Sequence, residues 1–203
     1  MLPAIAFISG AYLLGSVPFA LVIGKGIFRV DVRESGSGNI GATNVFRVLG
    51  KKAGTAVFIC DLFKGFIPVY LATRVIPVGN APLVAVLAAG AAIGGHTFSI
   101  FLKFRGGKGV ATGGGAILAL MPFWFLFAFA VFWAVLLAGR FVSLASLSAA
   151  ASLCAAVIIT GQPRPYQVFT FLGTAVIFYA HRSNIKRLST GDENRVTFPW
   201  NKT

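Results

Sequence analysis

The sequence predicts an all-α fold, a polytopic membrane helix bundle of about seven transmembrane helices. Three observations predict it. The 203 residues are 57% hydrophobic and 11% charged, with a mean hydropathy of +0.83, and no soluble domain of this size needs so much apolar residue. The apolar residues fall in long runs, several of them about 20 residues, the length that crosses a bilayer. The formal net charge is +13, and Lys and Arg collect in particular loops, as the cytoplasmic bias of basic residues requires.

Taken in order, 2–23 is the first span. It lacks a basic leading segment, so it reads as a retained span and not a cleaved signal. Residues 24–52 follow with Lys25, Arg29, Arg33, Arg47, Lys51 and Lys52. That loop is cytoplasmic, which puts the N-terminus outside. Residues 53–76 are the second span, Pro77, Val78, Gly79 and Asn80 an uncharged outer turn, and 81–101 the third span. Lys103, Arg105 and Lys108 mark a second cytoplasmic loop.

From Val110 to Ala180 three apolar runs are visible, which would leave the C-terminus outside. The tail, however, carries Arg182, Lys186, Arg187, Arg195 and Lys202. Splitting the first run at Met121-Pro122 gives 109–121, 122–138, 141–160 and 166–181 and returns the C-terminus to the cytoplasm. Proline suits a break or a helix start there. Of the 18 Lys and Arg, all but Lys64, Arg74 and Arg164 then lie on the cytoplasmic side. A count of five or six spans stays open. The whole chain, 1–203, reads as one membrane domain. Cys60 and Cys154 both lie in apolar runs and read as buried core thiols. Asp31, Glu34, Asp61, Asp192 and Glu193 are too scattered for a carboxylate metal cage.

Three polar stretches interrupt this chain. The first runs from Ser35 to Arg47. Its glycines, Gly38 among them, allow positive φ and close approach, and successive N–H groups can form an anion nest. Ser35, Ser37, Asn39, Thr43 and Asn44 add side-chain donors, and Arg47 a planar cation. That chemistry suits phosphate; the alternative is a flexible polar loop between helices. The second stretch begins at Gly94-Gly95-His96 and continues through Lys103, Arg105, Gly106, Gly107, Lys108 and Gly109 to Thr112. Its glycines open a helix, where N–H groups and the dipole favour an anion. It is not a Walker A loop, because Gly109 follows Lys108. Gly90 and Gly94 fit close helix packing instead.

His96 is an ionisable group within a span, hence a functional candidate. No Asp follows at the His-x4-Asp spacing of many glycerolipid acyltransferases; Phe101 stands there. Asp61 and Lys64, three apart in the second span, read as an intrahelical ion pair that lowers insertion cost. The third stretch is His181, Arg182, Ser183, Asn184, then Gly191 to Glu193, readable also as a basic membrane anchor. Ser143 and Ser146, at the inner end of the sixth span, can add hydroxyl donors. The expected topology brings all three stretches to one membrane face.

Gly36 to Asn44 with Arg47, Gly95-His96 with Phe104 to Thr112, and His181 to Ile185 with Gly191 and Glu193 together resemble the bacterial acyl-phosphate:glycerol-3-phosphate acyltransferases, over essentially the whole chain and in the same order. The resemblance implies transfer of a fatty acyl group from acyl phosphate to the 1-hydroxyl of glycerol 3-phosphate. The products would be lysophosphatidic acid and phosphate, in the first acylation of bacterial phospholipid synthesis. It implies catalytic importance for Ser37, Arg47, His181 and Asn184, and glycerol 3-phosphate binding by Gly106, Gly107, Lys108 and Thr112. It gives Glu193 a structural role. It also implies the bacterial inner membrane, a site on the cytoplasmic face, and no metal or organic cofactor. Expected partners are the two substrates and membrane lipids, with no nucleic acid. The base for the attacking hydroxyl is either His96 or a substrate phosphate. The rival reading, an anion transporter, fits less well because the polar groups cluster at one side.

Overall fold

The computed structural model describes residues 2–75 and 81–197. The expected outer turn, Pro77 to Asn80, and Lys202 lie outside them. The described residues are all-helical, without a strand. Contacts divide the chain into two compact units, Met1–Pro122 and Phe123–Thr203.

In the first unit the expected first span is broken. α1 (Leu2–Ser16) and α2 (Phe19–Phe28) meet at a 44° bend around Val17-Pro18, because a proline ring removes a helix donor and crowds the preceding turn. α2 ends on Arg29 in the left-handed region, and the Val30 N–H closes onto the Gly24 carbonyl at 2.9 Å. The second span begins far earlier than expected. α3 (Ala42–Val75) starts inside the polar stretch and turns at Gly50, whose φ of 82° is open to glycine. The 42–49 arm is thereby aimed separately from the apolar 51–75 arm. α4 (Ala81–Thr97) is the third span. It ends short of the expected boundary, followed by a single 3₁₀ turn, Ile100–Leu102. Then comes α5 (Val110–Leu120), opened by Gly109 at φ 76°.

These helices pack through glycine at other positions than expected. A side chain at Gly15 or Gly95 would strike the Ala92 or Tyr12 carbonyl, locking α1 to α4. One at Gly65 or Gly115 would strike the Thr112 or Leu62 carbonyl, locking α3 to α5. Small residues permit such backbone contact. Gly90 and Gly94, expected to play this part, meet nothing within 4 Å.

In the second unit α6 (Pro122–Gly139) starts on the expected proline. Leu136 is its buried residue, and its aromatic side chains run from half-buried to exposed. α7 (Val142–Ile159) packs on α8 (Arg164–Ala180), and α9 (Arg182–Thr190) follows after His181. Cys154 is buried as expected, whereas Cys60 is half-buried; both are free thiols.

Among the described residues, four helices are long and apolar enough to cross a membrane, or five if the bent α1–α2 pair is one span. The other two expected spans are the 11-residue α5 and the 17-residue α8.

Candidate active site

The first polar stretch is a built loop. Asn44, 1% exposed, sits in the first turn of α3 and faces back into it. Its amide donates to the Val32 carbonyl at 2.8 Å and the Ser35 carbonyl at 3.2 Å, and its Oδ1 accepts the Ser37 N–H at 2.8 Å. Gly36 and Gly38, at φ 63° and 69°, make the two reversals this wrapping needs. Asn39 Oδ1 accepts the Gly41 N–H at 2.8 Å, an Asx turn leading into the helix. Beneath the loop, Val32, Ile40, Val45 and Val57 form an apolar floor. Ser35, Ser37, Thr43 and Arg47 are left exposed. Thr43 and Arg47 are one turn apart on one face at the N-terminal end of α3, where backbone donors and dipole both favour an anion. Asp31 ties the loop's near end to Lys25 at 2.9 Å and Arg33 at 2.6 Å. Hydrogen bonds from Arg33 first, then Lys25, hold its carboxyl well below the usual carboxylate range.

The second stretch folds back onto the end of α4. The Gly106 N–H donates to the Thr97 carbonyl at 2.9 Å and the Gly107 N–H to the His96 carbonyl at 3.0 Å. Lys103 and Phe104 make the reversal, both with positive φ, at 52° and 61°. Two non-glycine residues in that region persist only where the surroundings impose them. Ser99 and Tyr12 anchor the same corner, through Ser99 Oγ to the Ser16 carbonyl at 2.6 Å and the Tyr12 hydroxyl to the Phe98 carbonyl at 2.8 Å. Lys103 and Arg105 are exposed, Gly106 and Lys108 half-buried, and Gly107 buried. Thr112 is wholly buried in α5.

His96 lies in the last turn of α4 and is 5% exposed. Its own stretch of chain offers it no carboxylate partner, but the fold brings one from α3. His96 Nδ1 faces Asp61 Oδ1 at 3.8 Å. The expected Asp61–Lys64 pair forms at 2.8 Å, both side chains 2% exposed. The sequence held the signal, an ionisable pair inside a span, but not its neighbour on another helix.

The second unit has its own polar centre, built on Glu193. Gly191, at φ 81°, caps α9, with the Asp192 N–H bonded to the Arg187 carbonyl at 2.8 Å. That cap turns the chain so that Glu193 returns along the helix. Its carboxylate accepts Ser143 Oγ at 2.8 Å, Asn184 Nδ2 at 2.6 Å and Arg187 Nε at 2.7 Å. Burial pushes the Glu193 carboxyl up, but these three bonds outweigh it and leave it lowered. The Val196 N–H then bonds the Arg140 carbonyl at 2.7 Å, closing the strap. His181 is 3% exposed, and its Nδ1–H donates to the Ile177 carbonyl at 2.8 Å, which orients the ring along α8. The structure therefore gathers His181, Asn184 and Ser143 in one unit and the other expected residues in the other.

The family model described as Glycerol-3-phosphate acyltransferase matches residues 5–191. This chain belongs to the glycerol-3-phosphate acyltransferase family. A glycerol-3-phosphate acyltransferase of Endomicrobium trichonymphae is 47% identical over 196 residues, 97% of each chain. One of Geobacillus kaustophilus is 44% identical over 193 residues, 95% of this chain and 96% of its own. Crystal structures of PlsY, an integral membrane glycerol 3-phosphate acyltransferase, cover 96% of both chains. The glycerol 3-phosphate form matches with a TM-score of 0.90 at 42% identity, and the lysophosphatidic acid form with 0.87 at 41%. The chain is thus a membrane acyltransferase. The matched residues take in both glycine-rich segments of the first unit and Ser143, His181 and Asn184 of the second, and end two residues before Glu193.

Proposed function

We propose that this acyltransferase moves a fatty acyl group from acyl phosphate to the 1-hydroxyl of glycerol 3-phosphate, giving 1-acyl-glycerol 3-phosphate and phosphate. The observation that carries the reading is the Asn44-braced loop, which leaves Ser37, Thr43 and Arg47 exposed at a helix N-terminus. Both substrates bear phosphate, and the first unit offers two glycine-rich segments suited to it. The hydroxyl oxygen bonds to the acyl carbonyl carbon, and the bond from that carbon to the phosphate oxygen breaks. Acyl phosphate is a mixed anhydride with a good leaving group, so positioning and stabilisation of negative charge supply most of the catalysis. Ser37 and Arg47 act on the reacting groups. Ser35, Gly38 and Asn39, with Lys103, Arg105 and Lys108, bind phosphate, while Gly106 and Gly107, whose N–H groups are taken by the Thr97 and His96 carbonyls, shape the turn that presents those cations. His181, Asn184 and Ser143 are taken in the same proposal as residues of this reaction, and 1–203 as one acyltransferase domain. The proton passes to the acceptor's own phosphate. The burial of His96 beneath Gly107 supports that choice over histidine. The chain spans a bacterial inner membrane about seven times, N-terminus outside, with the site at the cytoplasmic face; the segregation of Lys and Arg supports this.

The test is turnover by purified protein in detergent. Acyl phosphate with glycerol 3-phosphate gives lysophosphatidic acid and an equivalent of phosphate. Comparable turnover from acyl-CoA would defeat the proposed donor.

A further inference from the structure

We infer that Asp61 and Lys64 are positioning residues for the Gly106–Gly107 turn, acting through His96. The inference rests on the reading that this turn presents the cations that bind the phosphate of glycerol 3-phosphate.

An ion pair that served insertion alone would need no contact beyond its own helix. This one reaches three other segments. Lys64 Nζ lies 2.8 Å from Asp61 Oδ1 and donates to the Val17 carbonyl at 2.9 Å, and it stands 5.6 Å over the Phe19 ring. Val17 and Phe19 flank the proline break between α1 and α2, so the ammonium holds both sides of the bend. Asp61 Oδ1 faces His96 Nδ1 at 3.8 Å on α4. Across the ring, a Cβ built on Gly107 would strike His96 Nε2. The imidazole therefore lies between the Asp61 carboxylate and the Gly107 backbone.

The His96 carbonyl also accepts the Gly107 N–H, at 3.0 Å. One residue thus holds Gly107 twice, by its backbone and by its ring. Asp61 and Lys64 are 2% exposed and His96 5%. Charges so buried do not rearrange cheaply, which makes the pair a stiff support. The turn needs one, because Lys103 and Phe104 hold strained positive φ just before it. A ring that shifts by part of an ångström alters where the Gly106 and Gly107 backbone stands, and so how the acceptor phosphate is held.

The experiment measures KM for each substrate, kcat and thermal stability in detergent. The double variant Asp61→Asn/Lys64→Met leaves no unpaired buried charge, so it is expected to fold. KM for glycerol 3-phosphate rises at least about tenfold, while KM for acyl phosphate stays within about twofold. Lower melting temperature with both KM values unchanged overturns the inference, as does a rise in the acyl phosphate KM alone. A coupling measurement keeps the test open should that variant fail to fold. Gly107→Ala raises the glycerol 3-phosphate KM in the wild-type background, and His96→Ala removes most of that rise by vacating the ring's place. Additive effects of Gly107→Ala and His96→Ala overturn the inference, as does a His96→Ala variant that loses kcat with KM intact. A wild-type protein that does not acylate glycerol 3-phosphate overturns the proposed function and the inference with it. Active wild type with unaltered KM values in the variants overturns the inference alone.

Discussion

Asn44 Oδ1 accepts the backbone N–H of Ser37 at 2.8 Å, across seven residues of chain. With its two amide donors on Val32 and Ser35, this side chain substitutes for secondary structure in a loop that has none. It fixes the place of the serine read here as catalytic. Asn44→Leu keeps the volume and strands the buried Val32 carbonyl, costing about 1–3 kcal/mol, while the Ser37 N–H and Ser35 carbonyl lose the bonds that hold the loop in shape. Activity is expected to vanish and the melting temperature to fall. Asn44→Asp, which keeps the acceptor but not the donors, should lie between. Full activity in Asn44→Leu would show that the brace does not matter.

Arg47 is exposed, so changing it disturbs little packing. Arg47→Lys keeps the charge and loses the planar two-pronged donor. If the guanidinium grips phosphate with both prongs, turnover drops at least about tenfold, equivalent to about 1.4 kcal/mol, with melting temperature unchanged. Near-normal kinetics would remove Arg47 from the site.

Glu193 predicts a direction of pH dependence. Hydrogen bonds from Asn184, Ser143 and Arg187 hold its carboxyl below the ordinary glutamate value. A carboxyl so depressed stabilises the fold above its unfolded pKa, and that stability is lost as pH falls through the folded value. The melting temperature of wild type should therefore decline from about pH 6 to about pH 3. Glu193→Gln, which cannot ionise, should start lower and decline less. Parallel curves for the two proteins would contradict the assignment.

The identity of the base is open to a direct measurement. The second pKa of a phosphate monoester lies near 6, close to that of histidine. A glycerol 3-phosphate analogue bearing a more basic phosphonate separates them. If the acceptor's phosphonate takes the proton, the inflection in the rate profile moves up. An unmoved inflection, together with an inactive His96→Asn enzyme that still binds glycerol 3-phosphate, would return the role to His96.

Topology is tested by cysteines at Gln162 and Ser189 in a background lacking Cys60 and Cys154. An impermeant thiol reagent applied to intact cells should label the first and spare the second. Equal labelling of both would exclude the proposed orientation of α8.

Much of this protein was legible in its sequence. Apolar run length gave an all-helical membrane chain, because a bilayer admits few other backbones. Met121-Pro122 marked where one apolar run became two helices, because proline cannot continue a hydrogen-bonded turn. The three polar stretches stood out because small and polar residues are costly inside a membrane without a purpose. The Asp61–Lys64 pair was readable from its spacing, since i and i+3 share a helix face. What lay beyond was contact between segments distant in the chain. Pro18 broke the first span, and the Lys64 ammonium takes up the Val17 carbonyl at the break; local pattern does not show a donor 47 residues away. Gly50 bent α3 where composition alone extended a loop. Glycine packing fell at Gly15, Gly65, Gly95 and Gly115 and not at Gly90 and Gly94, because helix rotation decides which face meets a neighbour. His96 found its carboxylate on another helix, where a search along the chain could not look. Spacing within an element follows from fixed helical geometry. Partners across elements follow from how those helices pack, and packing is settled only by the whole fold.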